Sequence, residues 1–315
     1  MTWKRARNSF GKGRLFLCLA LFFLHALFLR NHKIATEAVI EGLLLCARAV
    51  VPSLFPSLVL SSMLVEGNFE RMLLSPIARR FGLNPSALCA ILLGLFCGAP
   101  VGARALADAC EKGILSKEKA ERLLCLVGSP SLPFVVGTVG GAFLKDLKLG
   151  WLLWLSTLPG LLFSALLFCR GREESDGVQE AFFPAPRFSS LLANGIRSAT
   201  KSVLTVSAYV VFFSALFRTL AYCFAALSFP PALSAFFYCL TELSGGLKEA
   251  AALPSHIALP LSGFAVGFSG FAVLFQVLSL TDRQNFSVRF YLPAKLLQGG
   301  IAALLFPLLC RLFGM

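Results

Sequence analysis

Long apolar runs, bounded by short clusters of basic residues, set the pattern of this chain. The first, Leu15 to Leu29, follows Lys4, Arg5, Arg7, Lys12 and Arg14 and ends at Arg30, Asn31, His32 and Lys33. It lacks a small-residue cleavage pattern, so a retained membrane anchor is expected in place of a cleaved signal peptide. From Glu37 to Val65 the pattern begins amphipathic and becomes uniformly apolar, and Pro52 and Pro56 predict a bend because proline removes a backbone donor. Phe69 to Phe81 alternates Arg71, Arg79 and Arg80 with apolar residues, as a helix lying in the membrane interface does.

Ala87 to Leu106 is apolar but holds Gly94, Gly98, Pro100 and Gly102, with Arg104 and Asp108 close behind. Backbone groups freed at such breaks cannot be left facing lipid, so this stretch is expected to be buried in protein or to line a wet cavity. A charged connection from Glu111 to Arg122 reads as solvated. Leu123 to Leu144 is broken at Gly128 to Pro133, and Leu149 to Cys169 is a cleaner span with Trp151 and Trp154 placed as interfacial aromatics. Arg170 to Arg187 reads as a polar linker. Further apolar stretches follow at Val203 to Leu220, Tyr222 to Leu240, Ile257 to Leu280 and Phe290 to Phe313, with Thr241 to Pro254 the most irregular region among them.

Composition turns these runs into a fold class. Of 315 residues 57% are hydrophobic and 14% charged, and stretches of the length that crosses a bilayer, about 20 residues, recur throughout. The expectation is an all-α, polytopic membrane helical bundle in the cell membrane. Its parts are a basic segment and anchor (1–35), a first membrane half (36–169), a linker (170–187) and a second membrane half (188–315). The net charge of +13 sits in clusters between apolar runs, so it reports topology, with lipid and not nucleic acid as the partner. With the N-terminus cytoplasmic, the Arg71 to Arg80 loop and the Lys112 to Arg122 connection both lie inside only if Ala87 to Leu106 turns back as a hairpin, its tip at Gly98 to Gly102.

The two halves carry an echo of each other. Laid over one another without a gap, Glu41 to Ser61 falls on Asn194 to Ser214, so that Gly42 meets Gly195, Arg48 meets Lys201 and Ser61 meets Ser214. A weaker echo sets Gly94 and Gly98 on Gly263 and Gly267. Paired halves with interrupted segments in matching places are the sequence pointer to a transporter-like site near the midplane. Each half is therefore expected to contain a broken or re-entrant helical hairpin.

Candidate chemistry is sparse. Ten cysteines form no CxxC pair and lie mostly within apolar runs, so no metal or redox centre is expected. No histidine has a convincing catalytic partner and no phosphate-binding loop is present, so no catalytic residue, no cofactor and no enzyme activity are expected. What remains are polar groups beside helix breaks. Glu242, followed by Ser244 and Gly245, either meets a cation or a ligand hydroxyl or is a loop carboxylate in water. Gln276 either binds a ligand or bonds across helices. Ser129, Ser131 and Ser269 either converge on a polar solute or repair freed backbone. With Gly98, Pro100, Gly102 and Gly270, these residues make the candidate binding set.

Five short runs in order resemble one family: Val51 to Pro56, Gly98 to Ala103, Glu121-Arg122 followed by Ser129 to Phe134, Thr241 to Gly246, and Gly267 to Phe271 with Gln276. The chain is similar from about Glu41 to Leu309 to the sporulation integral membrane proteins of the YlbJ type, which carry a nucleoside recognition, or Gate, domain. It departs from that pattern by losing polar groups at Cys97 to Pro100 and Gly128 to Ser131. The resemblance implies a multi-pass protein of spore-forming bacteria required for spore formation and implies no substrate; that it moves or gates a small polar solute is the expectation raised by the broken segments in its two halves. The alternative left open is a non-transporting assembly or scaffolding factor. The partners expected are the bilayer, a polar solute, and a second copy or other sporulation membrane proteins.

Overall fold

The computed structural model describes residues 2–67, 69–80, 82–169, 187–223 and 229–315, without the side chains of 2–12 and 70–72. The expected polar linker, 170–187, lies outside the described residues except for Arg187, and so does the side chain of Arg71. Every regular element among the described residues is helical. Six stretches are long and apolar enough to cross a bilayer: Gly13–Arg30, His32–Glu66, Leu147–Phe168, Phe188–Cys223, Ser255–Leu280 and Tyr291–Leu312. Their outward leucines and phenylalanines are left uncovered, as lipid-facing side chains are. The protein is a multi-pass helical membrane protein.

Helix α1 (Thr2–Arg30) leads into α2 (His32–Leu45) and α3 (Val51–Glu66), joined by a π-helical turn at Cys46–Val50. Pro52 has no N–H for the preceding turn, and the wide turn takes up the mismatch with the Val51 amide donating to the Cys46 carbonyl. The basic stretch expected at the interface is α4 (Phe69–Arg80).

Then comes the expected hairpin. Helices α5 (Pro85–Cys97) and α6 (Ala99–Glu111) fold back on each other at Gly98, whose φ of 100° is open to glycine and strained for other residues. The arms close so tightly that a methyl group added at Gly102 would fall 2.6 Å from the Gly94 Cα. Helix α7 (Lys117–Val127) breaks at Gly128 and resumes from Phe134–Phe143 as a π-helical segment, followed by α8 (Leu147–Phe168).

In the second half, α9 (Phe188–Cys223) runs into the apolar stretch Tyr222 to Leu240, 224–228 lies outside the described residues, and α10 (Pro231–Thr241) is short. Helix α10 is one arm of a second hairpin. Its other arm is α11 (Leu243–Ala251), with Glu242 extended at the tip and Gly246 lying against Cys239. One expectation for this half is corrected: Gly263 and Gly267 mark no break, because α12 (Ser255–Phe268) runs straight through both. They serve packing on α14 (Tyr291–Leu312), where Gly263 abuts the Ala302 carbonyl and a Cβ at Gly267 would meet the Gln298 oxygen at 2.6 Å. The interruption falls at Ser269, φ 74°, before α13 (Gly270–Leu280).

The element order is consistent with two related halves. Each has a long helix, a hairpin, an interrupted helix and a straight helix, namely α2–α3, α5–α6, α7 with its π-helical continuation, and α8, then α9, α10–α11, α12–α13 and α14. Gly42 faces Val211 and Ser214 while Gly195 faces Val59 and Met63, so α2–α3 and α9 cross antiparallel. Of the two tryptophans expected at an interface, Trp151 is exposed, but Trp154 is buried against Phe96. Glu121, expected on a solvated face, is buried and accepts from the Ser287 amide at 3.0 Å.

Candidate functional site

Two hairpin tips and one helix break meet in one small cavity. Its walls include Gly98, Ala99 and Pro100 from the first tip, Glu242, Leu243 and Ser244 from the second, and Ser129, Pro130 and Ser131 from the break after α7. Gln276 of α13 and the apolar Val50, Leu54, Val206 and Val210 close it. A few convergent polar groups on a mostly apolar wall is the usual composition of a small-molecule site. The cavity measures about 60 Å³. It is too small for a nucleoside-sized solute unless the tips separate, since drug-sized ligands occupy roughly 300–1,000 Å³.

Three of the polar positions, Ser129, Ser131 and Glu242, are held by identifiable contacts. The Ala99 amide, first in α6, donates to the Ser129 carbonyl at 2.7 Å and fastens the first tip to the break. Ser131 accepts from the Phe134 amide at 3.3 Å and so caps the π-helical segment. Glu242 is buried, not a carboxylate in water: its two oxygens accept from the Ser244 amide at 2.8 Å and the Gly245 amide at 2.5 Å. A buried carboxylate at the N-terminus of α11 is favoured by those orphan amides and by the positive end of the helix dipole.

Other members of the candidate set stand behind the cavity. Ser269 donates to the Gly128 carbonyl at 2.9 Å, which is backbone repair across the two breaks. A Cβ at Gly270 would meet the Cys239 carbonyl at 3.2 Å, Gly245 abuts the Tyr238 hydroxyl, and Gly102 packs on Gly94. Seven of the eleven candidates therefore line the cavity, and Gly102, Gly245, Ser269 and Gly270 support its frame.

Sequence reasoning missed a second buried polar network. Lys295, only 1% exposed within α14, donates to Gln298 Oε1 at 2.9 Å, and Gln298 Nε2 donates to the Cys125 carbonyl at 2.9 Å and to the Ser164 hydroxyl at 3.0 Å. One turn before, the Tyr291 hydroxyl is buried without a hydrogen-bond partner, against Gly128. The signal was present: a lysine and a glutamine inside the run Phe290 to Phe313, where ionisable groups are costly.

A larger cavity, about 440 Å³, opens beside the site between α3, α6 and α9 and carries Arg104, Asp108, Lys112, Arg197 and Lys201 on its walls. Arg104 and Asp108 form the expected helical pair at 4.0 Å. No group of three or more His, Cys, Asp or Glu among the described residues is arranged to hold a metal ion.

The chain is 26% identical over 348 residues to the sporulation integral membrane protein YlbJ of Bacillus subtilis (strain 168), covering 94% of this chain and 83% of that protein. The resemblance read from the sequence is borne out by this relative. No protein-family model matches the chain. No solved structure matches it either.

Proposed function

We propose that this chain, like its YlbJ-type relative in being an integral membrane protein of sporulation, acts in spore formation by moving or gating a small polar solute through the cavity at its centre. One observation carries the reading: tips Gly98 and Glu242, at the ends of two separate hairpins, line the same cavity with the polar residues Ser129, Ser131 and Gln276. A broken backbone at bilayer depth is tolerated only where protein or water satisfies it, and interrupted helices in two halves are the transporter arrangement.

The halves are taken as inverted copies. Under the overlay Glu41 corresponds to Asn194, and each bonds the far end of the other's helix: Glu41 with Arg218 at 2.8 Å, Asn194 with Glu66 at 2.6 Å. Reciprocal contacts of this kind are what a two-fold relation produces. The N-terminus is assigned to the cytoplasm. The end bearing Lys112, Arg122, Arg197, Lys201 and Arg283 is the more basic, and lysine and arginine are retained inside.

Glu242→Gln and Gln276→Leu test the reading in sporulating cells. With the protein at normal level in the membrane, each is expected to lower the yield of mature spores. Unimpaired sporulation in both would leave the non-transporting assembly role standing in its place.

A further inference from the structure

We infer that two routes lead to the central cavity, a large cavity at one end along α6, whose tip is Gly98, and a small space at the opposite end along α11, whose tip is Glu242, and that Arg218, paired with Glu41 and Glu249, is a closed gate over the second. The inference rests on the transport reading above and adds the access route. It starts from two cavities of very different size. The open one, about 440 Å³, lies between α3, α6 and α9, whereas a space of about 40 Å³ lies between α2, α9 and α11.

The two are counterparts in the repeat. Asn194 and Ser61 line the large cavity, and the residues they overlie, Glu41 and Ser214, line the small one. Setting the hairpins tip on tip, Gly98 on Glu242, extends the match. Arg104 of the large cavity then falls on Lys248 of the small one. Corresponding walls enclose a wide space at one end and a nearly filled one at the other.

Residue identity explains the difference. Arg218 stands where its counterpart in the open cavity is Val65. Its guanidinium reaches Glu41 of α2 at 2.8 Å and Glu249 of α11 at 3.6 Å, so it ties the hairpin arm to both long helices. Beneath it Tyr238 stacks on Phe217 with ring centroids 4.0 Å apart. At the open end, Arg104 of the hairpin arm pairs instead with Asp108 on its own helix. The Arg218 pairs are partly exposed, and pairs of that kind contribute little and are screened by salt, which suits a contact that must break in each cycle.

Paired cysteine variants of the full-length protein, in a background with the native cysteines replaced and in sealed membranes, test this. Ser62→Cys, at a partly exposed wall position of the large cavity, reports the open end and Ser214→Cys, buried, the closed one, each reacted with a membrane-impermeant maleimide from a known face. With Arg218 intact, Ser62→Cys is expected to react from one face and Ser214→Cys to stay protected. Adding Arg218→Ala is expected to raise Ser214→Cys labelling severalfold from the opposite face while Ser62→Cys labelling falls. Glu249→Gln, which leaves the Glu41 pair in place, is expected to act in the same direction with smaller size. Ser214→Cys labelling unchanged in both variants would overturn the gate and leave the central-site reading intact. A parallel rise at both positions would also overturn it, as general loosening. Failure of Ser62→Cys to react in any variant would instead sink the transport reading itself.

Discussion

Ser269 and Gly128 join the two interrupted helices: the Ser269 hydroxyl donates to the Gly128 carbonyl at 2.9 Å across 141 residues of sequence. The bond satisfies a carbonyl freed where α7 stops, and it anchors the left-handed residue at which α12 stops. Breaks in a lipid-embedded chain are stable only when their polar groups find such partners.

Substitutions at Ser269 should therefore separate backbone from side chain. Ser269→Gly loses the hydroxyl but fits a φ of 74°, whereas Ser269→Ala loses the bond and keeps the left-handed strain. We expect Ser269→Ala to be the less stable of the two, by about 1 kcal/mol. Thermal unfolding in detergent, followed by the fluorescence of a thiol-reactive dye, measures the order.

The hairpin arms should tolerate no added carbon where they touch. Gly102→Leu, pressed on the Gly94 Cα, is expected to cost about 1–3 kcal/mol or to abolish accumulation in the membrane. Gly137→Ala, with nothing within 4 Å of the new methyl, serves as the neutral control. Membrane protein level by immunoblot reads both.

Glu242 has a structural duty separable from its charge. Glu242→Ala leaves the Ser244 and Gly245 amides buried without acceptors, a loss of about 1–2 kcal/mol or more, whereas Glu242→Gln keeps one acceptor oxygen. Melting temperatures are expected in the order wild type, Gln, Ala. An Ala variant as stable as wild type would show that these amides are satisfied otherwise.

Lys295 and Gln298 should respond unequally. Gln298→Leu leaves the Lys295 amino group buried without its acceptor and removes the bonds to Cys125 and Ser164, so a loss of roughly 3 kcal/mol is expected. Lys295→Met removes the buried amino group and leaves Gln298 its two donor contacts, so stability within about 1 kcal/mol of wild type is expected. Denaturant titration in detergent distinguishes the two.

Much of this protein was legible in the residue order. Runs of some twenty apolar side chains have one stable solvent, the density of glycine and proline at Gly94 to Gly102 spoke against an unbroken span there, and the basic clusters on both sides of it called for a turn back, so the membrane class and the first hairpin followed from residue order. The polar set beside the breaks followed too, because few polar residues are placed inside apolar runs without a partner.

Tertiary structure decided the rest, because the deciding contacts join residues far apart in the chain. Gly263 and Gly267 look like a break until α14 is seen pressed against them, and Thr241 to Pro254 looks like an irregular loop until Gly246 is seen against Cys239. Glu242 reads equally as a wetted or a buried carboxylate, and only the folding back of α10 on α11 takes it from water and gives it two amides. Local sequence records which backbone cannot stay helical. Packing between distant segments determines what satisfies it, and that lies in three dimensions.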